Sequence, residues 1–145
     1  MESKKLVILR IATIEIPVSD LKSAYAWYQK ILGLKGPDDF RDSWKEVMLQ
    51  FHEHAAGAPT LFLVQTDAAD RLRFFNSNYG HTQSIIDFYV EDLGAFHRHL
   101  QSLGVTTNRE SVVLRPGEIS GFGFVDPDGN SLGATNAVFA GQEIV

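Results

Sequence analysis

Residues 121–136 read GFGFVDPDGNSLGATN. Phe122, Phe124 and Val125 lead into Asp126-Pro127-Asp128-Gly129, and Leu132, Ala134 and Thr135 follow. Proline fixes φ at the second turn position, aspartate bonds nearby backbone, and glycine accepts φ > 0. Such a turn between two apolar runs reads as a tight β-hairpin.

A repeat gives the hairpin its place. Ile14-Glu15-Ile16-Pro17-Val18-Ser19-Asp20-Leu21 matches Ile86-Asp87-Phe88-Tyr89-Val90-Glu91-Asp92-Leu93 at an offset of 72, the difference between 86 and 14. Each copy is an alternating strand, an Asp-Leu pair and an amphipathic segment that ends at Gly33-Leu34 or Gly104-Val105. At the same offset, residues 57–61 precede residues 129–133, although the first turn, His54-Ala55-Ala56-Gly57, lacks the proline. The chain therefore reads as two strand–helix–three-strand units, about 7–65 and 83–137, within a single domain spanning 1–145. A polar connection, 66–82, joins them and carries Leu72, Phe74, Phe75 and Tyr79; connections of this length are often functional.

Within the units, residues 6–18 read as a strand with Ile14, Ile16 and Val18 on one face. Ser19 or Asp20 is placed to cap a helix whose apolar face is Leu21, Ala24, Tyr25, Tyr28 and Ile31. Residues 35–43 read as a short strand or loop, and 44–51 and 60–65 as strands. In the second unit Asp92 caps a helix that buries Leu93, Phe96, His97, Leu100 and Leu103, and 105–114 is a strand region.

Val18-Ser19-Asp20-Leu21 with Tyr28 and Leu32-Gly33-Leu34, then Val90-Glu91-Asp92-Leu93, then the 124–130 turn, resemble the vicinal oxygen chelate superfamily over residues 7–137. That group includes glyoxalase I, extradiol dioxygenases, and fosfomycin- and bleomycin-resistance proteins. The resemblance implies an α+β fold: two βαβββ units forming a curved, eight-stranded mixed sheet, a cup, with helices on its outer face. It also implies homodimerisation and, in the enzymes, a divalent metal in the cup held by His, Glu or Gln. Carried over, the ligand positions fall on Thr13, Leu61, Ile85 and Gly133. None offers imidazole or carboxylate, so no metal and no cofactor is expected.

Glu15 and Asp87 lie two residues beyond Thr13 and Ile85 and are related by the same offset of 72. With Leu63, Tyr89 and Thr135 they complete the expected cup lining: Thr13, Glu15, Leu61, Leu63, Ile85, Asp87, Tyr89, Gly133 and Thr135. Paired carboxylates suit a cationic or hydrogen-bonding ligand or a proton shuttle; they are also ordinary residues of a solvated sheet face. His52 and His54 fit a metal pair or an exposed strand end. His97 takes the place of Tyr25 and reads as structural. Trp44, Phe74, Phe75 and Tyr79 wall a pocket or join the core.

Composition excludes several classes. The 145 residues carry net charge −5 and no cysteine, so no disulfide framework and no thiol nucleophile. No basic stripe points to nucleic acid. No apolar run approaches the ~20 residues of a membrane span, and residues 1–5 do not read as a signal peptide. A cytoplasmic setting is expected. The functional expectation is a metal-independent protein that binds and sequesters a small molecule. The alternative is a lyase or dioxygenase of the glyoxalase type with a non-standard ligand set, and a third reading is a module that only dimerises.

Overall fold

The computed structural model of the protein describes residues 6–51 and 57–142. The fold is α+β. The first half runs β1 (Thr13–Val18), α1 (Leu21–Leu32), β2 (Glu46–Leu49) and β3 (Thr60–Gln65). The second half runs β6 (Ile86–Tyr89), α2 (Leu93–Ser102), β7 (Gly121–Val125) and β8 (Ser131–Thr135), and between the halves lie β4 (Phe74–Asn76) and β5 (His81–Gln83).

The two halves share one topology. β1 pairs parallel with β3, and β2 pairs antiparallel on its other side. β6 pairs parallel with β8, and β7 pairs antiparallel beyond it. Alternation puts Ile16, Val18, Leu61 and Leu63 on the buried face of the first sheet, in one core with Leu21, Tyr28 and Ile31 of α1. On the second sheet Ile86, Phe88, Leu132 and Ala134 are buried with Leu93 and Leu100 of α2. The Phe96 ring lies 6.2 Å from Phe122 and 5.9 Å from Phe124. Phe51 meets Phe88 edge-on at 6.0 Å, joining the two halves of the core.

Local chemistry explains the helix ends. Asp92 Oδ1 accepts the Ala95 N–H at 2.9 Å, the expected cap. At α1 Asp20 makes no such bond; the Leu21 N–H donates instead to Gln65 Oε1 at 2.9 Å. Gly33, at φ 69°, closes α1 in the left-handed conformation that glycine adopts without strain.

The expected eight-stranded cup is not one sheet here. The described strands form sheets of three, two and three. Residues 35–43 contribute only the bridge between Lys35 and Gln50, and 105–114 only the bridge between Thr107 and Phe124. Gly36-Pro37 breaks the first segment. In the second, Asn108 turns its side chain on the ladder: its Oδ1 accepts the Gly123 N–H at 2.7 Å. Residues 6–12, read as strand, lie outside β1, and Leu6, Ile8 and Leu9 are exposed. β3 begins opposite Thr13, so the residues before it have no strand beside them on that edge. The connection, read as irregular, holds the β4–β5 hairpin.

The halves are fastened through the 126–130 turn. Tyr28 Oη donates to Asp126 Oδ2 at 2.6 Å, and Asn130 Nδ2 donates to the same oxygen at 2.7 Å. Asp126 Oδ1 accepts the backbone N–H groups of Asp128 and Asn130. Asn130 Nδ2 also donates to Pro17 O, and its Oδ1 accepts the Leu72 N–H. Ser19 donates its amide and hydroxyl to Asp128 Oδ1. Burial, then the nearby Asp126 charge, pushes the Tyr28 phenol above its ordinary value of 10.0.

Two measurements check this packing. Phe88→Ala should cost about 3–5 kcal/mol in urea unfolding, as a buried large-to-small change does; a loss below about 1 kcal/mol would show the face to be wrongly assigned. Because the folded-state pKa of Tyr28 is raised, its contribution is present below pH 10.0 and is lost as pH climbs above it. Between pH 10 and 11, wild-type stability should fall more steeply than that of Tyr28→Phe, by up to about 1.4 kcal/mol per pH unit. Equal slopes would contradict the assignment.

Candidate functional site

The uncovered face of each sheet carries the residues that alternate with the core. On the first sheet these are Thr13 and Glu15, both exposed, beside Thr60 and Phe62 of β3. On the second, Asp87 and Tyr89 are exposed and sit beside Gly133 and Thr135. Ile85 immediately precedes β6 and is exposed. No strand of the first sheet pairs with one of the second, so Glu15 and Asp87 stand on separate sheets.

Leu61 and Leu63 need correction. They pair with Ile14 and Ile16, on the face turned to the core, and are 1% and 0% exposed. They do not line the open face. The residue opposite Glu15 is Phe62, as Gly133 is opposite Asp87. The offset between halves is 72 at the first strands but 71 at the last, the difference between 133 and 62. Carrying 72 through the loops shifted β3 by one residue, which turns every side chain to the other face.

On the second sheet the arrangement is specific. A Cβ built on Gly133 would stand 1.9 Å from Asp87 Oδ1 and 3.0 Å from Ser84 Oγ. The Asp87 carboxylate thus occupies the space a side chain at 133 would need. Ser84 Oγ donates to Asp87 Oδ1 at 2.8 Å and holds it there. Thr135 is engaged structurally: its hydroxyl donates to Ser120 O at 2.9 Å and accepts the Ala137 N–H at 3.0 Å.

The metal centre of the resembling enzymes does not fit these residues. Its positions fall on Thr13, Phe62, Ile85 and Gly133, and the last is closed by Asp87. Among the described residues no group of three or more His, Asp or Glu side chains could hold an ion. His52 and His54 lie outside the described residues. His97 is structural: it is buried, and its Nε2 lies 2.7 Å from Arg109 O. His99 Nε2 lies 2.9 Å from Ile31 O at the end of α1. His81 stacks on Tyr79 at 6.0 Å. Trp44 packs with Phe40 beside the core, whereas Phe74, Phe75 and Tyr79 are exposed on the β4–β5 hairpin.

Two open grooves lie elsewhere. One of about 610 Å³ runs between the start of α2 and residues 112–119, with Arg98 and Glu118 in its lining. The other, about 570 Å³, follows residues 104–110. Neither includes any of the nine residues expected to line the cup. Both are open and lined largely by charged and amide side chains, Arg98, Arg115 and Glu118 in the first and Asn108, Arg109 and Glu110 in the second, whereas small-molecule sites are mostly apolar, so the sheet faces remain the stronger candidate. Ser84 and Phe62 were missed from sequence. A glycine inside a strand, as at 133, is the signal that another group approaches closely.

Comparison with known proteins agrees with this architecture. The chain has no match among curated protein sequences. FosX, a fosfomycin resistance protein from Listeria monocytogenes, superposes with TM-score 0.64 at 20% identity, covering 94% of this chain and 97% of that one. TnmS3, an antibiotic binding protein from Streptomyces sp. CB03234, gives 0.61 at 20%, covering 90% and 97%. Lactoylglutathione lyase from Agrobacterium tumefaciens gives 0.57 at 21%, covering 86% and 91%. At such identities these likenesses establish fold and no more. The sequence profile of one superfamily matches residues 10–133. With the paired half-topologies, this match places the chain in the Glyoxalase/Bleomycin resistance protein/Dioxygenase superfamily.

Proposed function

We propose that the protein binds a small molecule over its open sheet faces without a metal, and acts by sequestration. The carrying observation is the register: the residues opposite Glu15 and Asp87 are Phe62 and Gly133, and neither can ligate an ion. The two open faces are of mixed polarity. Met48, Ile85, Tyr89 and Val125 are exposed beside the carboxylates, a composition suited to apolar burial with a few orienting polar groups. The likeness to TnmS3, an antibiotic binding protein, supports this reading.

The reading takes the chain as one domain of two units and places it in the cytoplasm as a homodimer. Three features support pairing: the two open faces, the exposed aromatic residues of the β4–β5 hairpin, and the exposed apolar residues before β1. No helix in the described residues is long and apolar enough to cross a membrane.

Three measurements test this. A thermal-shift screen over antibiotics, metabolites and metals should give stabilisation by an organic compound and none by a divalent ion. Elemental analysis of protein purified without a metal-affinity tag should find less than one equivalent of Zn, Ni, Mn or Fe; a full equivalent, lost together with an activity in Glu15→Ala, would favour the enzyme. Sedimentation at micromolar concentration should give a dimer, and monomer alone would end that part of the proposal.

A further inference from the structure

The second sheet carries two polar side chains folded over adjacent glycines. Asp87 lies over Gly133, held by Ser84. Gly133 pairs with Gly123 of β7, and a Cβ built there would stand 3.3 Å from Asn108 Nδ2. Across the sheet the order is Asp87, Gly133, Gly123, Asn108. Each side chain has one atom committed. Asp87 Oδ1 accepts from Ser84, and Asn108 Oδ1 accepts the Gly123 N–H. Among the described residues, Asp87 Oδ2 accepts no hydrogen bond and Asn108 Nδ2 donates none. Tyr89 and Thr135 flank this row on one side, Ile85 and Val125 on the other.

We infer that Asp87 has displaced the metal ligand at position 133, and that with Asn108 it recognises a ligand presenting an N–H beside a carbonyl, the edge of a carboxamide or lactam. The carboxylate accepts the ligand N–H, and the Asn108 amide donates to the ligand oxygen. The glycines leave room for the two side chains to lie across the strands, the Asp87 carboxylate over Gly133 and the Asn108 amide over Gly123. The carboxylate bond is charge-assisted and therefore dominates. Ser84 and Gly133 are positioning residues: the first fixes the carboxylate by a hydrogen bond, the second by having no Cβ. This deepens the binding reading above and rests on it.

Three probes sharing one ring separate the possibilities: benzamide, benzoate and benzylamine, titrated into ¹⁵N-labelled protein while the amides of Asp87, Asn108, Gly123 and Gly133 are followed. Benzamide should shift these amides and bind at least about tenfold tighter than benzoate, a difference of about 1.4 kcal/mol. It should also exceed benzylamine. Asp87→Ala and Gly133→Ala should each lose the benzamide preference while their thermal midpoints stay near wild type, since Asp87 is exposed and can swing away. Asn108→Ala should bring benzamide down to the level of benzylamine. Mn²⁺ alone, at one equivalent, should broaden none of these amides.

Benzylamine binding as well as benzamide to wild type would overturn the role of Asn108. A Gly133→Ala variant that keeps full selectivity would overturn the positioning of Asp87. Broadening of Asp87 and Gly133 by one equivalent of Mn²⁺ would overturn the displacement of the metal site. No response to any probe would overturn the carboxamide assignment. The binding reading itself falls only if the compound screen also finds nothing, so the two failures are distinguishable.

Discussion

The buried carboxylate of Asp126 is the point on which the two halves of the molecule depend. Its two oxygens accept four hydrogen bonds: two from backbone within the turn, one from Asn130 and one from Tyr28 on α1. Asn130 extends the contact to Pro17 of β1 and to Leu72 of the connection. A buried carboxylate is costly unless it is fully hydrogen-bonded, and here every lone-pair direction has a partner. The same groups that shape the turn thus fix where the second sheet sits against the first helix. The orientation of the open face, and so of Asp87 and Gly133, follows from this fastening.

Much of this was legible in the sequence. The repeat gave both strand–helix pairs because period-2 and period-3.6 apolar patterns are long and regular there. The Pro-Asp-Gly turn gave the hairpin because those residues have few other uses in that order. The failures have physical causes. Leu61 and Leu63 went to the wrong face because loops between the copies differ by one residue, and alternation converts that error into a complete inversion. Residues 105–114 look strand-like, yet Asn108 and Thr107 satisfy nearby backbone through their side chains. The β4–β5 hairpin lies where no second copy exists to reveal it. Ser84 was invisible because its role depends on a carboxylate folded back over a glycine, a juxtaposition that arises only in the folded chain.

On the second sheet a strand glycine and the side chain beside it are coupled. The superfamily's metal positions map to the open faces of the sheets, but here the last strand of the second half carries glycine. The neighbouring strand supplies the carboxylate instead, clamped by a serine hydroxyl. An exposed carboxylate held by one hydrogen bond remains a good acceptor for an oriented N–H.

Asp126 couples the halves, and native-state hydrogen exchange on Asp126→Ala measures that coupling. The substitution strands the Tyr28 hydroxyl and the Asn130 amide together. Protection should fall in both β7–β8 and β1–α1, because the same carboxylate serves both. Protection lost only within residues 121–135, with β1 and α1 as slow to exchange as in the wild type, would contradict it.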